Sequence, residues 1–239
     1  ISFVGGVKVT KETDAFKKPR FISFEGGDGS GKTTQIQLLN KKLLSVGIKT
    51  YVTREPGGSI GAEEIRSLIV EGEPDRWDPY TETLLHFAAR RDHLIKAITP
   101  ALEEGLWVLC DRFIDSTMAY QGYGHGVSKS IINRLCQFVV GNMKPHITII
   151  LDIPVEIGLE RASIRMNDLL DKRNNINQED RYEKMNTDYH KRLRYGFLKI
   201  AEKNPERCYV VNANLSSEEV NYEIERILVT KLGVQFNGV

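Results

Sequence analysis

Residues 26–33 read Gly26-Gly27-Asp28-Gly29-Ser30-Gly31-Lys32-Thr33, a full G-x-x-x-x-G-K-[ST] series followed by Thr34. The series lies between the apolar run Phe21-Ile22-Ser23-Phe24 and the helix-like run Gln35-Ile36-Gln37-Leu38-Leu39, so it predicts a strand, a phosphate-binding loop and a helix in that order. A backbone that curls around a triphosphate with its N–H groups turned inward has little room for Cβ atoms. That accounts for Gly26, Gly29 and Gly31. Lys32 would bring a point charge to the β- and γ-phosphates, and the Thr33 hydroxyl is placed to ligate Mg²⁺. The helix that opens here adds its positive end to the same anion. Residues 26–34 therefore predict a binding site for a nucleoside triphosphate.

Length and charge narrow the class. The chain has 239 residues, enough for one well-buried α/β core, and Lys+Arg 33 balances Asp+Glu 32. That balance leaves no electrostatic footprint for nucleic acid or a membrane surface. The longest apolar stretch, residues 147–151, is far short of the ~20 residues a membrane span needs, and no signal-like segment opens the sequence. A cytoplasmic location is the expectation. Cys110, Cys136 and Cys208 are too scattered for a disulfide framework or zinc site, and Cys110 and Cys208 are expected as buried thiols. Residues 1–19 show no strong periodicity and are expected to be a tail, residues 20–232 a single domain, and residues 233–239 a second tail.

Within that domain, β-rich runs at 21–25, 49–53, 107–110, 148–152 and 208–211 alternate with helical patterns, such as the apolar series Leu84, Ala88, Ile95, Ile98 and Leu102. The expected fold class is α/β, a five-stranded parallel sheet flanked by helices on both faces. Ligands of such sheets bind beyond the carboxyl ends of the strands. The suggestive clusters fall there: the loop after Glu25, the Thr53-Arg54-Glu55-Pro56-Gly57-Gly58 turn, Asp111-Arg112, and the segment after Asp152.

Asp111 at a strand end can hold Mg²⁺ or orient Arg112, and Arg112 can clamp a phosphate with its planar fork. Ser116, Thr117, Tyr120 and Gln121 share one helical face and read as the wall of a small-molecule pocket. His86 and Arg90 are i, i+4 neighbours on the preceding helix, where an arginine can read a base edge and an imidazole can stack on it. Arg161 and Arg165 share a face ahead of a polar, Asn-rich stretch. Residues 166–180 are expected to form a mobile lid whose flanking basic residues close over the transferring phosphoryl group.

Taken in order, residues 24–34, the turn at 53–58, Phe87-Ala88-Ala89-Arg90, Asp111-Arg112-Phe113, Ser116-Thr117, Ala119-Tyr120-Gln121-Gly122 and Asp180-Arg181-Tyr182-Glu183 resemble bacterial thymidylate kinase, within the P-loop nucleoside monophosphate kinases. The resemblance runs from about Arg20 to near Leu228. It implies a P-loop kinase fold with a lid, Mg-dependent transfer of the ATP γ-phosphoryl group to dTMP for dTTP biosynthesis and DNA synthesis, and a homodimer. By the same resemblance Lys32 and the loop amides hold the ATP phosphates, Thr33 and Asp111 the metal, and Asp28 helps position the acceptor or the metal. Glu55 and Pro56 border the dTMP pocket, Arg66 and Arg112 contact the monophosphate, and Arg90, Thr117 and Gln121 read the base. Tyr120 lies against the sugar and disfavours a 2′-hydroxyl. The loop interior carries no arginine, which resembles the subtype that uses lid arginines instead, here Arg161 and Arg165.

His86 departs from the family pattern, which often places a stacking Phe there. An imidazole titrating near pH 6.5 predicts pH-sensitive base affinity. Two other classes fit less well. A regulatory GTPase should carry Asp-x-x-Gly and Asn-Lys-x-Asp in suitable places, and a non-catalytic scaffold would let Asp111, Arg112, Tyr120 and Gln121 lapse. A related kinase acting on dUMP, dCMP or a nucleoside is the nearer alternative, separated by the acceptor pocket and not by the fold.

Overall fold

A computed structural model describes residues 18–172 and 181–236 of the chain. Five strands, β1 (Phe21–Glu25), β2 (Thr50–Arg54), β3 (Trp107–Asp111), β4 (Ile147–Asp152) and β5 (Cys208–Asn212), form one sheet in the order β2-β3-β1-β4-β5. Every pairing is parallel. The expected strands are all present, with ends differing by a residue. Because β1 is central, the loop that leaves it opens between the ends of β3 and β4, where parallel α/β sheets bind ligands.

The sheet is covered on both faces because its strands are apolar on both. Ile22 and Phe24 point to one side, packing with Leu39 and Leu43 of α1 (Lys32–Ser45) and Ile224 and Leu228 of α9 (Ser217–Leu232). Phe21, Val108 and Cys110 point to the other, against Phe87 of α3 (Pro79–His93) and Ile132 of α6 (Lys129–Val139). A third cluster joins Ile150 and Cys208 to Leu193 and Phe197 of α8 (Thr187–Lys203). The remaining helices are α2 (Ile60–Val70), α4 (Thr99–Glu103), α5 (Ile114–Thr117) and α7 (Val155–Lys172), with π-helical turns at Leu94–Ile98 and Met118–Gly124. Cys110 and Cys208 are buried as expected.

Three expectations need correction. The apolar series on α3 is not its buried stripe. Leu84, Ala88 and Ile95 are exposed, while Phe87, Leu94, Ile98 and Ala101 face the core, since the π-helical turn after His93 shifts the phase that a constant helical period assumes. The polar stretch expected as a loop from residue 166 begins instead inside α7, which continues to Lys172 because its Leu, Asp and Lys residues are compatible with a helix. The rest of the expected lid, residues 173–180, lies outside the described residues, as do residues 1–17. Finally, Val234 and Phe236 are buried against the α1/α9 cluster, so the packed domain extends beyond Leu232.

Candidate active site

The phosphate loop is shaped by close packing as well as by its own dihedral angles. Gly26 (φ 132°) lies so near β4 that a Cβ would sit 2.5 Å from the Leu151 carbonyl oxygen, and at Gly29 (φ 70°) it would sit 1.9 Å from that of Gly158 on α7. Gly31 (φ 87°) precedes α1, whose first turn has neither a side-chain cap nor an acidic residue. Its N–H groups are thus left for an anion, as a phosphate site requires. Lys32 Nζ donates to the Gly26 and Gly27 carbonyl oxygens at 3.1 and 2.9 Å. Burial and the Arg112 charge push this ammonium down to about 8, against the pull of Asp111, Asp28 and Glu25. A polyphosphate would reverse that shift.

Across the loop, Thr33 Oγ1 donates to Asp111 Oδ2 at 2.9 Å. A hydroxyl and a carboxylate side by side at the edge of a phosphate loop form the hard-oxygen set that Mg²⁺ uses when phosphates and water complete its shell. Arg112, the only non-glycine residue with positive φ among the described residues (70°), is not oriented by Asp111. It donates instead to Asp28 Oδ1 at 2.7 Å and to the Gly26 carbonyl at 2.9 Å, with its guanidinium 4.8 Å from the Tyr120 ring centre. Burial alone would raise the Asp28 carboxyl, but Arg112, Lys32 and His190 outweigh it and hold the group below its usual range.

Next to this centre opens a cleft of about 370 Å³, counted to its mouth, within the range of small-molecule sites. It collects Glu55, Pro56, His86, Arg90, Arg112, Thr117, Tyr120 and Gln121 from four stretches of sequence. Arg90 is 2% exposed and donates through Nε to Glu55 Oε2 (2.7 Å), through Nη1 to Thr117 Oγ1 (2.9 Å) and through Nη2 to the Phe113 carbonyl (3.0 Å). Gln121 is fully buried; its Nε2 donates to Glu82 Oε1 at 2.7 Å, and its Oε1 has no partner. Tyr120 O–H donates to Asp28 Oδ2 at 3.2 Å.

Arg66, Arg161 and Arg165 do not line the cleft. Arg66 donates to the Pro56 carbonyl at its border, Arg161 to the Ala213 carbonyl beyond β5, and Arg165 pairs with Glu183. The two lid candidates stand on α7 and not on a loop. His86 departs further from expectation. Its Nε2 lies 2.9 Å from the Tyr182 hydroxyl, and burial, reinforced by Arg90 and opposed by Glu82, pushes the imidazole down to about 4. The expected titration near pH 6.5 does not occur.

Three residues that sequence reasoning left without a role belong here. Tyr182 lines the cleft opposite His86. Arg181, fully buried, pairs with Glu82 at 2.5 Å and donates to the carbonyls of Ile69, Glu73 and Pro74, so it fastens the chain after the lid to the α2–α3 connection. Glu82 in turn fixes the Gln121 amide. Asp180-Arg181-Tyr182-Glu183 carried the resemblance without showing what it touches, because its partners are about a hundred residues away and nothing local marks them.

This arrangement has a counterpart among known proteins. The family model described as thymidylate kinase matches residues 24–224. The chain belongs to the thymidylate kinase family. It is 47% identical over 214 residues to the thymidylate kinase of Caulobacter vibrioides, covering 90% of this chain and 98% of that protein. The thymidylate kinase of Rhodopseudomonas palustris is 50% identical over 202 residues, 84% of each chain. Among solved structures, thymidylate kinase from Ehrlichia chaffeensis superposes with a TM-score of 0.69 at 36% identity, covering 88% of this chain and 98% of that one. Thymidylate kinases are nucleoside monophosphate kinases that phosphorylate dTMP from ATP, so the expected fold and reaction class hold.

Proposed function

We propose that this thymidylate kinase selects its acceptor base through Gln121 and Arg90 and transfers the phosphoryl group between the phosphate loop and Arg112. The observation that carries the base assignment is the lone Gln121 Oε1. Glu82 can only accept, so it takes the amide NH₂ and leaves the amide oxygen toward the base site. A buried acceptor without a donor suits a base with N–H at its pairing edge, as thymine and uracil have at N3. Cytosine, with an acceptor there, would leave two acceptors facing each other, which costs roughly 1–3 kcal/mol, or about ten- to a hundredfold. Tyr120, packed by Tyr182 and Tyr189, supports the reading of a closed wall beside the sugar.

ATP would lie with its phosphates along residues 26–34, held by the loop amides and Lys32. Thr33 and Asp111 would hold Mg²⁺, which bridges the phosphates and neutralises their charge when bound. The acceptor phosphate is ionised at neutral pH, so no general base is needed, and the protein's work is alignment and charge stabilisation. Arg112, with Asp28 behind it, would orient the acceptor phosphate. Arg66, at the border of the cleft, would join it, and Arg161 and Arg165 would act only if α7 or the segment after it moves.

The family implies a homodimer, and the exposed Leu84 and Ile95 beside α6, whose Phe138 is 86% exposed, support an apolar contact surface. Sedimentation velocity tests it. Free thiols at Cys110, Cys136 and Cys208 support a reducing, cytoplasmic setting, and no helix among the described residues is long and apolar enough to cross a membrane. The deciding assay couples ADP release to acceptor identity at fixed ATP and Mg²⁺, comparing dTMP with dUMP, dCMP, dGMP and thymidine. Preference for dTMP is the expected result, with dTDP supplying dTTP for DNA synthesis. Equal turnover of dCMP would overturn the role of Gln121.

A further inference from the structure

His93, the last residue of α3, touches no part of the cleft, yet it is fully buried and both its ring nitrogens are engaged. Nδ1 lies 3.1 Å from Glu55 Oε1, and Nε2 lies 2.7 Å from Thr53 Oγ1. Glu55 is ionised, since Arg90 and His93 overcome the effect of its burial. A carboxylate only accepts, so Nδ1 must carry the proton and donate it. The two oxygens of Glu55 thus have separate duties, Oε1 toward His93 and Oε2 toward Arg90. Arg90, one turn earlier on α3, in turn donates to Thr117.

We propose that His93 is a positioning residue for base recognition, holding Glu55 so that Arg90 presents its remaining N–H groups to the base. Three of the five guanidinium N–H groups are taken by Glu55, Thr117 and Phe113, so any rotation of Glu55 changes where the other two point. The ring cannot drift, because Gly58 closes over it. A Cβ at that residue (φ 86°) would lie 2.3 Å from His93 Nε2 and 2.4 Å from Thr53 Oγ1. Glycine at this turn therefore serves the imidazole as well as the backbone. Without His93, Glu55 Oε1 would be a buried acceptor with no donor, free to turn toward Arg90 or into the cleft.

This inference rests on the dTMP reading, so unaltered enzyme is assayed first. If it does not turn over dTMP, the substrate assignment fails independently of His93. Three variants then test the relay. His93→Leu removes both nitrogens, His93→Asn keeps a donor near Nδ1, and Thr53→Val releases only Nε2. Leaving Glu55 unpaired should raise the KM for dTMP about tenfold in His93→Leu and lower the dTMP/dCMP preference, with the KM for ATP within about twofold. His93→Asn should recover most of that loss. An unchanged KM for dTMP, or KM values for dTMP and ATP that rise together, would overturn the proposal. So would an Asn variant no better than Leu at equal thermal stability. Should His93→Leu fail to fold, Thr53→Val decides: a selective rise in the KM for dTMP supports the relay, and wild-type kinetics refute it.

Discussion

Arg112 Nη2 lies 2.7 Å from Asp28 Oδ1, an ion pair that joins the end of β3 to the interior of the phosphate loop. The pair requires Arg112 to adopt φ 70°, a left-handed conformation that costs a side-chain-bearing residue about 1 kcal/mol or more, and the ion pair with Asp28 is what that backbone makes reachable. Arg112→Ala should lower kcat/KM at least a hundredfold, the ~3 kcal/mol typical of a single electrostatic donor. Steady-state kinetics with dTMP varied provide the check. A loss below threefold would take Arg112 out of the mechanism.

The Thr33–Asp111 contact makes a different prediction, because it concerns the metal and not the acceptor. Asp111→Asn keeps the shape and removes the charge next to the hydroxyl that donates to it. The Mg²⁺ concentration for half-maximal rate should rise about tenfold or more, while ATP binding measured without metal by calorimetry should change by less than about threefold. Equal weakening of ATP with and without Mg²⁺ would assign Asp111 to the loop's structure instead.

Much of this site was legible because its groups are local in sequence. The phosphate loop, Asp111-Arg112 and Thr117-Tyr120-Gln121 each lie at the end of a strand or on the helix after it, and alternation of apolar runs places strand ends correctly. The relay from Thr53 through His93 to Glu55 and Arg90 was not legible, nor was Arg181 with Glu82. Each joins residues 35 to 112 positions apart whose spacing follows no helical or strand period. The buried stripe of α3 was misread for a related reason. A π-helical turn after His93 breaks the period on which the reading depends, and nothing in Leu94-Ile95-Lys96-Ala97-Ile98 announces it. The His86 titration was misjudged because its neighbours Tyr182, Arg90 and Glu82 come from both sides of the cleft.

With His86 pushed down to about 4, its imidazole is neutral throughout the working range of the enzyme. The KM for dTMP should therefore be flat between pH 5.5 and 8 once acceptor ionisation is allowed for, and His86→Phe should not change the shape of that profile. The variant still loses the contact with the Tyr182 hydroxyl, so a KM increase of about two- to fivefold, equal at all pH values, is expected from one lost hydrogen bond. A wild-type profile that bends near pH 6.5 and straightens in His86→Phe would show that the ring does titrate.

Glu25 gives the opposite case, a group whose titration should be visible in stability. It is fully buried at the end of β1, and burial together with the Asp115 charge raises its carboxyl from 4.5 to about 7, against the Ser116 hydroxyl, Arg112 and the Phe113 N–H. The folded chain thus keeps a proton that the unfolded chain gives up, so Glu25 favours folding below pH 4.5 and loses that contribution as pH rises to 7. A shift of this size corresponds to about 3 kcal/mol across the window. Glu25→Gln cannot ionise and should lack the decline. Urea denaturation at pH 5 and pH 8 measures it: wild type should lose about 3 kcal/mol more than the variant between the two. Parallel losses would mean that Ser116, Phe113 and Arg112 keep Glu25 charged in the folded chain, and that its burial is offset by hydrogen bonds rather than by a retained proton.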